Sequence, residues 1–216
     1  MKLYNVNLSP FASRVRLQIY AKGLDVALVD PPGGLGSDEY KKVNPTGRTP
    51  ALQLDDGTII AESDAICEYL EDRFPEPALR PADLTERARM RMVARFADNY
   101  IVPPTQVLFG QVDPATQDRA VIQEQLTKLG PLYDVLDGLL TPKPFAVGAT
   151  LSLADCVLMP FFFFTTRLHP LLGDQDPTAT RRNLRHWWEG VQGHTATKKV
   201  DAELAKALAE FMARPR

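Results

Sequence analysis

Element type changes quickly through the first eighty residues of this chain and hardly at all afterwards, which limits it to a mixed α/β unit followed by a helical one. Lys2 to Leu8, with Leu3, Tyr4 and Val6, is strand-like and is closed by Ser9-Pro10. A helix should follow, because Ser is a good N-cap, Pro suits the first helical position, and Gly23 after Lys22 is a stop. Its interior is ambivalent: Arg14-Val15-Arg16-Leu17-Gln18-Ile19 alternates polar with apolar as a strand does, and only its ends decide for helix. Val26 to Val29 reads as a second strand, Pro31 to Gly36 as a mobile turn, and Asp38 to Val43 as a short helix. Pro50 to Leu54 and Thr58 to Ala61 flank Asp56-Gly57 and predict a hairpin. Cys67, Leu70 and Phe74 then share one face of a helix from Ser63 to Phe74, ended by Pro75 and Pro77.

Beyond that point the pattern is helical. Thr85 is expected to cap a long helix with Met90, Val93, Ala97 and Tyr100 along one side, broken or kinked at Pro103-Pro104. Ile122, Leu126, Leu129, Leu136 and Leu140 mark another, which Gly130-Pro131 should bend or split. Ser152 as N-cap and Asp155 as third helical residue form a capping box, with Leu151 and Cys156 placed as its hydrophobic staple. The run Cys156 to Phe164 contains Pro160 and falls far short of the ~20 residues of a membrane span, so it predicts a buried helix, most of its four phenylalanines core. Leu204, Leu208 and Phe211 give a last amphipathic helix. The expected domains are 1–78 and 84–216.

Charge excludes some partners. Lys plus Arg number 25 against 27 Asp plus Glu, a net charge of -2, so there is no footprint for nucleic acid or an anionic membrane, and any bound anion must be held locally. The start Met1 to Asn7 lacks the apolar core of a secretion signal. Cys67 and Cys156 are too few for a disulfide framework and read as small core residues in a cytoplasmic protein. His169, His186 and His194 lack metal-ligand spacing and read as surface residues, so no metal is expected.

Three motifs carry the chemistry. Ser9-Pro10-Phe11-Ala12-Ser13-Arg14-Val15-Arg16 leads to Ala21-Lys22-Gly23-Leu24; Asn44-Pro45-Thr46-Gly47-Arg48-Thr49-Pro50-Ala51-Leu52 follows, then Glu62-Ser63-Asp64-Ala65-Ile66. In this order and spacing, with Ser152-Leu153-Ala154-Asp155 in the second half, they resemble the cytosolic glutathione transferases over nearly the whole chain, most like the tau, omega and zeta-related classes. The resemblance implies a thioredoxin-like α/β N-terminal domain that binds glutathione as co-substrate, an all-α C-terminal domain that supplies the second substrate pocket, and a homodimer.

Ser9 then stands where thioredoxin-like folds place the first cysteine of their Cys-x-x-Cys. Neither it nor Ala12 is a thiol, which rules out dithiol exchange. A hydroxyl at a helix N-terminus can instead donate to a thiolate, whose charge the helix dipole also favours. Lowering a thiol pKa by about two units from ~8.5 requires roughly 2.7 kcal/mol, within reach of the two effects together. Taken alone a Ser-Pro pair is an N-cap, and Ser13 is the rival hydroxyl. Thr49-Pro50 is, by resemblance, a cis-proline turn that offers the Thr49 backbone to the cysteinyl part of glutathione. Glu62 and Ser63, at a helix start, suit the ammonium and carboxylate of a γ-glutamyl group, and Arg48 its glycyl carboxylate. A hydrophobic electrophile would lie between the domains, against Phe11 and against Tyr100, Phe109 and Phe164. Three readings stay open: conjugation, isomerisation or ether cleavage on the same fold, and non-enzymatic glutathione or ligand binding.

Overall fold

Lys2–Tyr4 (β1), Ala27–Val29 (β2), Ala51–Gln53 (β3) and Ile59–Ala61 (β4) form one sheet of order β2-β1-β3-β4, in a computed structural model that describes residues 1–213. β1 and β2 run parallel, as the intervening helix α1 (Pro10–Lys22) allows, while β3 is antiparallel to both β1 and β4. The Asp56-Gly57 turn between β3 and β4 puts Gly57 at φ 88, a conformation that favours glycine. α2 (Asp38–Lys41) and α3 (Ser63–Arg73) complete the expected βαβαββα order.

α1 is a helix despite its alternating sequence, and its surroundings give the reason. Every residue from Ala12 to Ile19 is buried, Arg14, Arg16 and Gln18 included, so polar positions are enclosed as fully as apolar ones. α1 packs against α3 on one side and against α9 (Thr195–Met212) on another. The polar side chains find partners there: Gln18 Nε2 donates to Cys67 O at 2.9 Å, and Lys22 Nζ pairs with Glu71 at 2.8 Å while donating to Phe74 O and Pro77 O. A buried cation is tolerated only with that degree of pairing. The chain accordingly divides into two compact units, 1–79 together with the helix from Thr195, and Arg80–His194. This grouping differs from the expected 84–216 in one element, α9, which the Arg16–Glu203 ion pair and the Tyr20 Oη bond to Glu203 tie to α1.

The second unit contains α4 (Leu84–Phe96), α5 (Val102–Phe109), α6 (Arg119–Leu139), α7 (Leu153–Leu171) and α8 (Arg182–Gln192), with a two-stranded ladder of β5 (Thr141–Pro142) and β6 (Val147–Gly148) that the sequence did not signal. Four expectations need correction. Asp83, not Thr85, caps α4, its extended backbone letting Oδ1 accept from Glu86 N at 2.9 Å. Pro103-Pro104 do not break the run: a π-helical turn, Ala97–Ile101, precedes them, and they fall in the first turn of α5, where missing N–H groups cost little. The widened turn shifts the helix register, so Met90, Val93 and Ala97 are buried but Tyr100 is 54% exposed. α6 is not split but runs as one helix through Pro131, braced by Arg181, which donates to Gly130 O at 2.9 Å and pairs with Asp134 at 2.8 Å.

His169 is the fourth. It is buried, not superficial, between Tyr133 Oη at 3.1 Å and Asp174 at 3.0 Å; His186 is exposed and His194 half-buried. The capping box forms as expected: Asp155 accepts from Ser152 N and Oγ, and its second oxygen takes Ala146 N and Trp187 Nε1, each at 2.8 Å. Burial pushes the Asp155 carboxyl up while these donors pull it back. Phe161, Phe162 and Phe163 are core, Leu204 is buried on α9, and Phe211 is half exposed. No helix among the described residues is long and apolar enough to cross a membrane.

Candidate active site

Sheet register brings three loops to one edge. Tyr4 pairs with Ala51 and Ala51 with Ala61, so the last residue of β1, the first of β3 and the last of β4 lie side by side. The segment to Ser9 leaves β1 there, Arg48-Thr49-Pro50 enters β3 there, and Glu62-Ser63 leaves β4 there. Residues far apart in sequence thus converge because three short strands end together.

Ser9 caps α1 with extended backbone (φ -76, ψ 120). Its N–H donates to Val6 O, its carbonyl accepts from both Ser13 N and Ser13 Oγ, and its Oγ accepts from Ala12 N at 3.2 Å. A hydroxyl is also a donor. No acceptor among the described residues takes the Ser9 hydrogen, so it can be given to an anion at the N-terminus of α1. Ser13 differs. It is fully buried, donates to Ser9 O at 2.8 Å and accepts from Arg16 at 2.6 Å, so its hydroxyl is already committed.

At the start of α3, Glu62 has φ 69 and ψ 118, the only non-glycine residue with positive φ among those described, and its side chain makes no cap bond. Such a backbone costs about 1–3 kcal/mol and is characteristic of ligand sites. Ser63 is 6% exposed, and its Oγ has no hydrogen-bond partner among the described residues. The uncapped N-terminus, this hydroxyl and the exposed Glu62 carboxylate together present donors and an anion within two residues, the complement of an amino-acid zwitterion.

Between them, the loop before β3 is held from inside. Tyr40 Oη and Asn44 Nδ2 both donate to Arg48 O, at 2.9 and 2.8 Å, while Asn44 Oδ1 accepts from Thr46 N and Oγ1. Burial raises the Tyr40 pKa, keeping the phenol a donor. Thr49-Pro50 is cis, and the exposed Arg48 guanidinium, which pairs with no carboxylate among the described residues, can meet a second carboxylate. Phe11 is half-buried beside Arg14, whose guanidinium lies 5.7 Å from the ring centroid. In the helical unit Phe109 and Phe164 meet edge to face at 5.2 Å, whereas Tyr100 packs on Phe96 at 5.1 Å. Sequence reasoning missed Asn7, Arg16 and Glu203, which hold the Ser9 segment; the alternation of charged residues inside α1 was the one available signal.

Both halves of the chain match known protein families. Residues 3–78 match the family model for the glutathione S-transferase N-terminal domain, and residues 89–194 the one for the C-terminal domain. A probable glutathione S-transferase, GSTU6, of Oryza sativa subsp. japonica is 30% identical over 98% of this chain and 92% of its own length. Maleylacetoacetate isomerase of Pseudomonas aeruginosa is 46% identical over 44% of this chain, and Protein LigF of Sphingobium sp. 43% identical over 46%. These two matches span only 47% and 40% of the relatives' own lengths. The solved β-etherase LigF from Sphingobium sp. strain SYK-6 superimposes with TM-score 0.78 and 26% identity over 94% of this chain and 98% of that one.

Proposed function

Because this chain belongs to the glutathione S-transferase family, we propose that it binds glutathione across the edge where β1, β3 and β4 end and delivers its thiolate to a small hydrophobic electrophile. The supporting observation is the Ser9 hydroxyl, fixed at a helix N-terminus with its hydrogen unclaimed. In this reading Ser9 is the catalytic residue and donates to the sulfur. That bond and the α1 dipole favour the charged form, so the bound thiol ionises more readily than a free one. Glu62 and Ser63 receive the γ-glutamyl ammonium and carboxylate, Thr49 ahead of Pro50 pairs through its backbone with the cysteinyl residue, and Arg48 meets the glycyl carboxylate. Phe11 borders the sulfur. The working form is a cytoplasmic homodimer, a compartment in keeping with two buried cysteines that form no disulfide.

The resemblance to an isomerase and a β-etherase favours a second reading of the same site. In isomerisation the thiolate adds to an activated double bond, the single bond rotates, and elimination returns glutathione. In ether cleavage the thiolate displaces an aryloxide and stays on carbon. Glutathione consumption per turnover separates these: none for isomerisation, one per product for conjugation and for ether cleavage, with a phenol released only in the last.

Ser9→Ala tests the shared premise. Glutathione affinity should hold, since most contacts lie elsewhere, while turnover falls roughly 100-fold, the low end of what a directed donor to a developing anion contributes. The absorbance of bound thiolate, titrated against pH, should report a higher apparent pKa. Wild-type turnover with a wild-type thiol pKa would reduce Ser9 to a helix cap.

A further inference from the structure

The Ser9 segment is held by a chain of bonds that begins on the last helix. Glu203 of α9 pairs through Oε2 with Arg16 Nη1 at 2.6 Å and takes Tyr20 Oη on Oε1 at 2.8 Å. The Arg16 guanidinium then grips the loop before α1: Nη1 donates to Asn7 Oδ1 at 2.9 Å, and Nη2 to Asn7 O at 2.7 Å and to Ser13 Oγ at 2.6 Å. Ser13 Oγ in turn donates to Ser9 O at 2.8 Å. Guanidinium has donors only, so Ser13 must accept from Arg16, which sends the Ser13 hydrogen to the Ser9 carbonyl. The hydroxyl is thereby oriented in one direction. The chain runs from carboxylate to guanidinium to hydroxyl to carbonyl, each member polarising the next.

We infer that Glu203 and Arg16 are positioning residues for the proposed reaction: acting through Ser13 and Asn7, they fix the first turn of α1 so that the Ser9 hydroxyl points at the thiolate. This rests on the proposed role of Ser9. Neither residue touches glutathione in this account. Arg16 is enclosed, and burial lowers its pKa while Glu203 opposes that shift, so the carboxylate keeps the guanidinium charged and gripping. Lysine cannot replace it, because one ammonium cannot span Asn7 O, Asn7 Oδ1, Ser13 Oγ and Glu203 at once. A helix at the far end of the sequence thus tunes the nucleophile without contributing to its binding site.

The alternative is that these bonds only dock α9. Ser9→Ala, Ser13→Ala, Arg16→Lys and Glu203→Gln, each loaded with glutathione, separate the two through the pH titration of bound thiolate, the calorimetric Kd for glutathione, kcat and the unfolding temperature. The last three variants should raise the thiol pKa in the same direction as Ser9→Ala but by less, lower kcat about three- to ten-fold, and leave Kd within about two-fold. Glu203→Gln added to Ser9→Ala should move the thiol pKa no further, since its effect passes through Ser9. A lower unfolding temperature with unmoved thiol pKa in all three would overturn the inference and leave Ser9 in place. An unmoved pKa in Ser9→Ala itself would instead sink the serine mechanism, and the positioning role with it. Ser13→Ala removes one hydroxyl and no ion pair, so it decides the matter even if Arg16→Lys does not fold.

Discussion

A capping hydroxyl that only accepts completes a helix; one whose hydrogen is also unclaimed can act on a ligand. Ser9 is of the second kind; Ser13, in the same motif, gives its hydrogen to Ser9 O and accepts from Arg16, so it has none left for a ligand. The same distinction applies at α3, where Ser63 caps nothing and Glu62 is held at φ 69 without a cap bond. If these two receive the γ-glutamyl end, Glu62→Ala or Ser63→Ala removes a charge-assisted contact of about 1.5–3 kcal/mol, and the glutathione dissociation constant should rise ten-fold or more. Titration calorimetry measures this, and unchanged affinity in both variants would put the γ-glutamyl group elsewhere. Ser9, Arg48, Thr49, Glu62 and Ser63 could be proposed from the sequence because each sits in a local motif. Glu203 could not, because its partner Arg16 is 187 residues away and only folding makes the pair visible.

At the scale of elements, ends were easier to read than interiors. Ser9-Pro10, Gly23, Asp56-Gly57 and the Ser152-Asp155 box marked real boundaries, since caps and turns are local chemistry. Periodicity failed in α1, where burial on all sides removes the polar face on which it depends. It failed again at Ala97–Ile101, where a π turn slips the register; at Pro131 the periodicity held and the helix is not split, Arg181 bracing it at Gly130 from 51 residues away. His169 belongs to this class, joining α6 through Tyr133 to the turn after α7 through Asp174. With Nδ1–H donated to Asp174, the neutral ring accepts the Tyr133 hydrogen at Nε2. Burial lowers the His169 pKa; Asp174 and Asp176 oppose this and Arg181 reinforces it. A lowered folded pKa means the neutral ring stabilises the fold above about pH 6.5, the unfolded value, and that contribution is lost as pH falls through the folded pKa. Urea unfolding should therefore show stability declining from pH 7.5 to 5.5 more steeply in the wild type than in His169→Gln. Equal slopes would mean that the ring titrates alike in both states.

At the scale of the molecule, the order of elements in the first eighty residues and the change from sheet to helices were read from sequence, because alternation of element types needs no long-range information, whereas the β5-β6 ladder and α8 were not. The return of α9 to the first unit was not, for the reason given for Glu203. Oligomeric state lies beyond a single chain, yet the chain bears on it. Along α4, the π turn and α5, Leu84, Met92, Tyr100 and Val107 remain 74%, 46%, 54% and 43% exposed. Scattered exposed apolar residues are ordinary, but four large ones on one continuous helical run are surface that association would cover. Little opposes it, since a net charge of -2 per chain makes self-repulsion weak. Two copies related by a two-fold axis would set the same patch against itself. The predicted solution mass is therefore twice 24.0 kDa, about 48 kDa, by light scattering across micromolar concentrations. Leu84→Glu with Met92→Glu should shift that mass toward 24.0 kDa while leaving the far-ultraviolet helical signal unchanged, because both side chains point to solvent within the chain. A wild-type mass of 24.0 kDa at every concentration would remove the dimer, and the exposed residues would then need another partner.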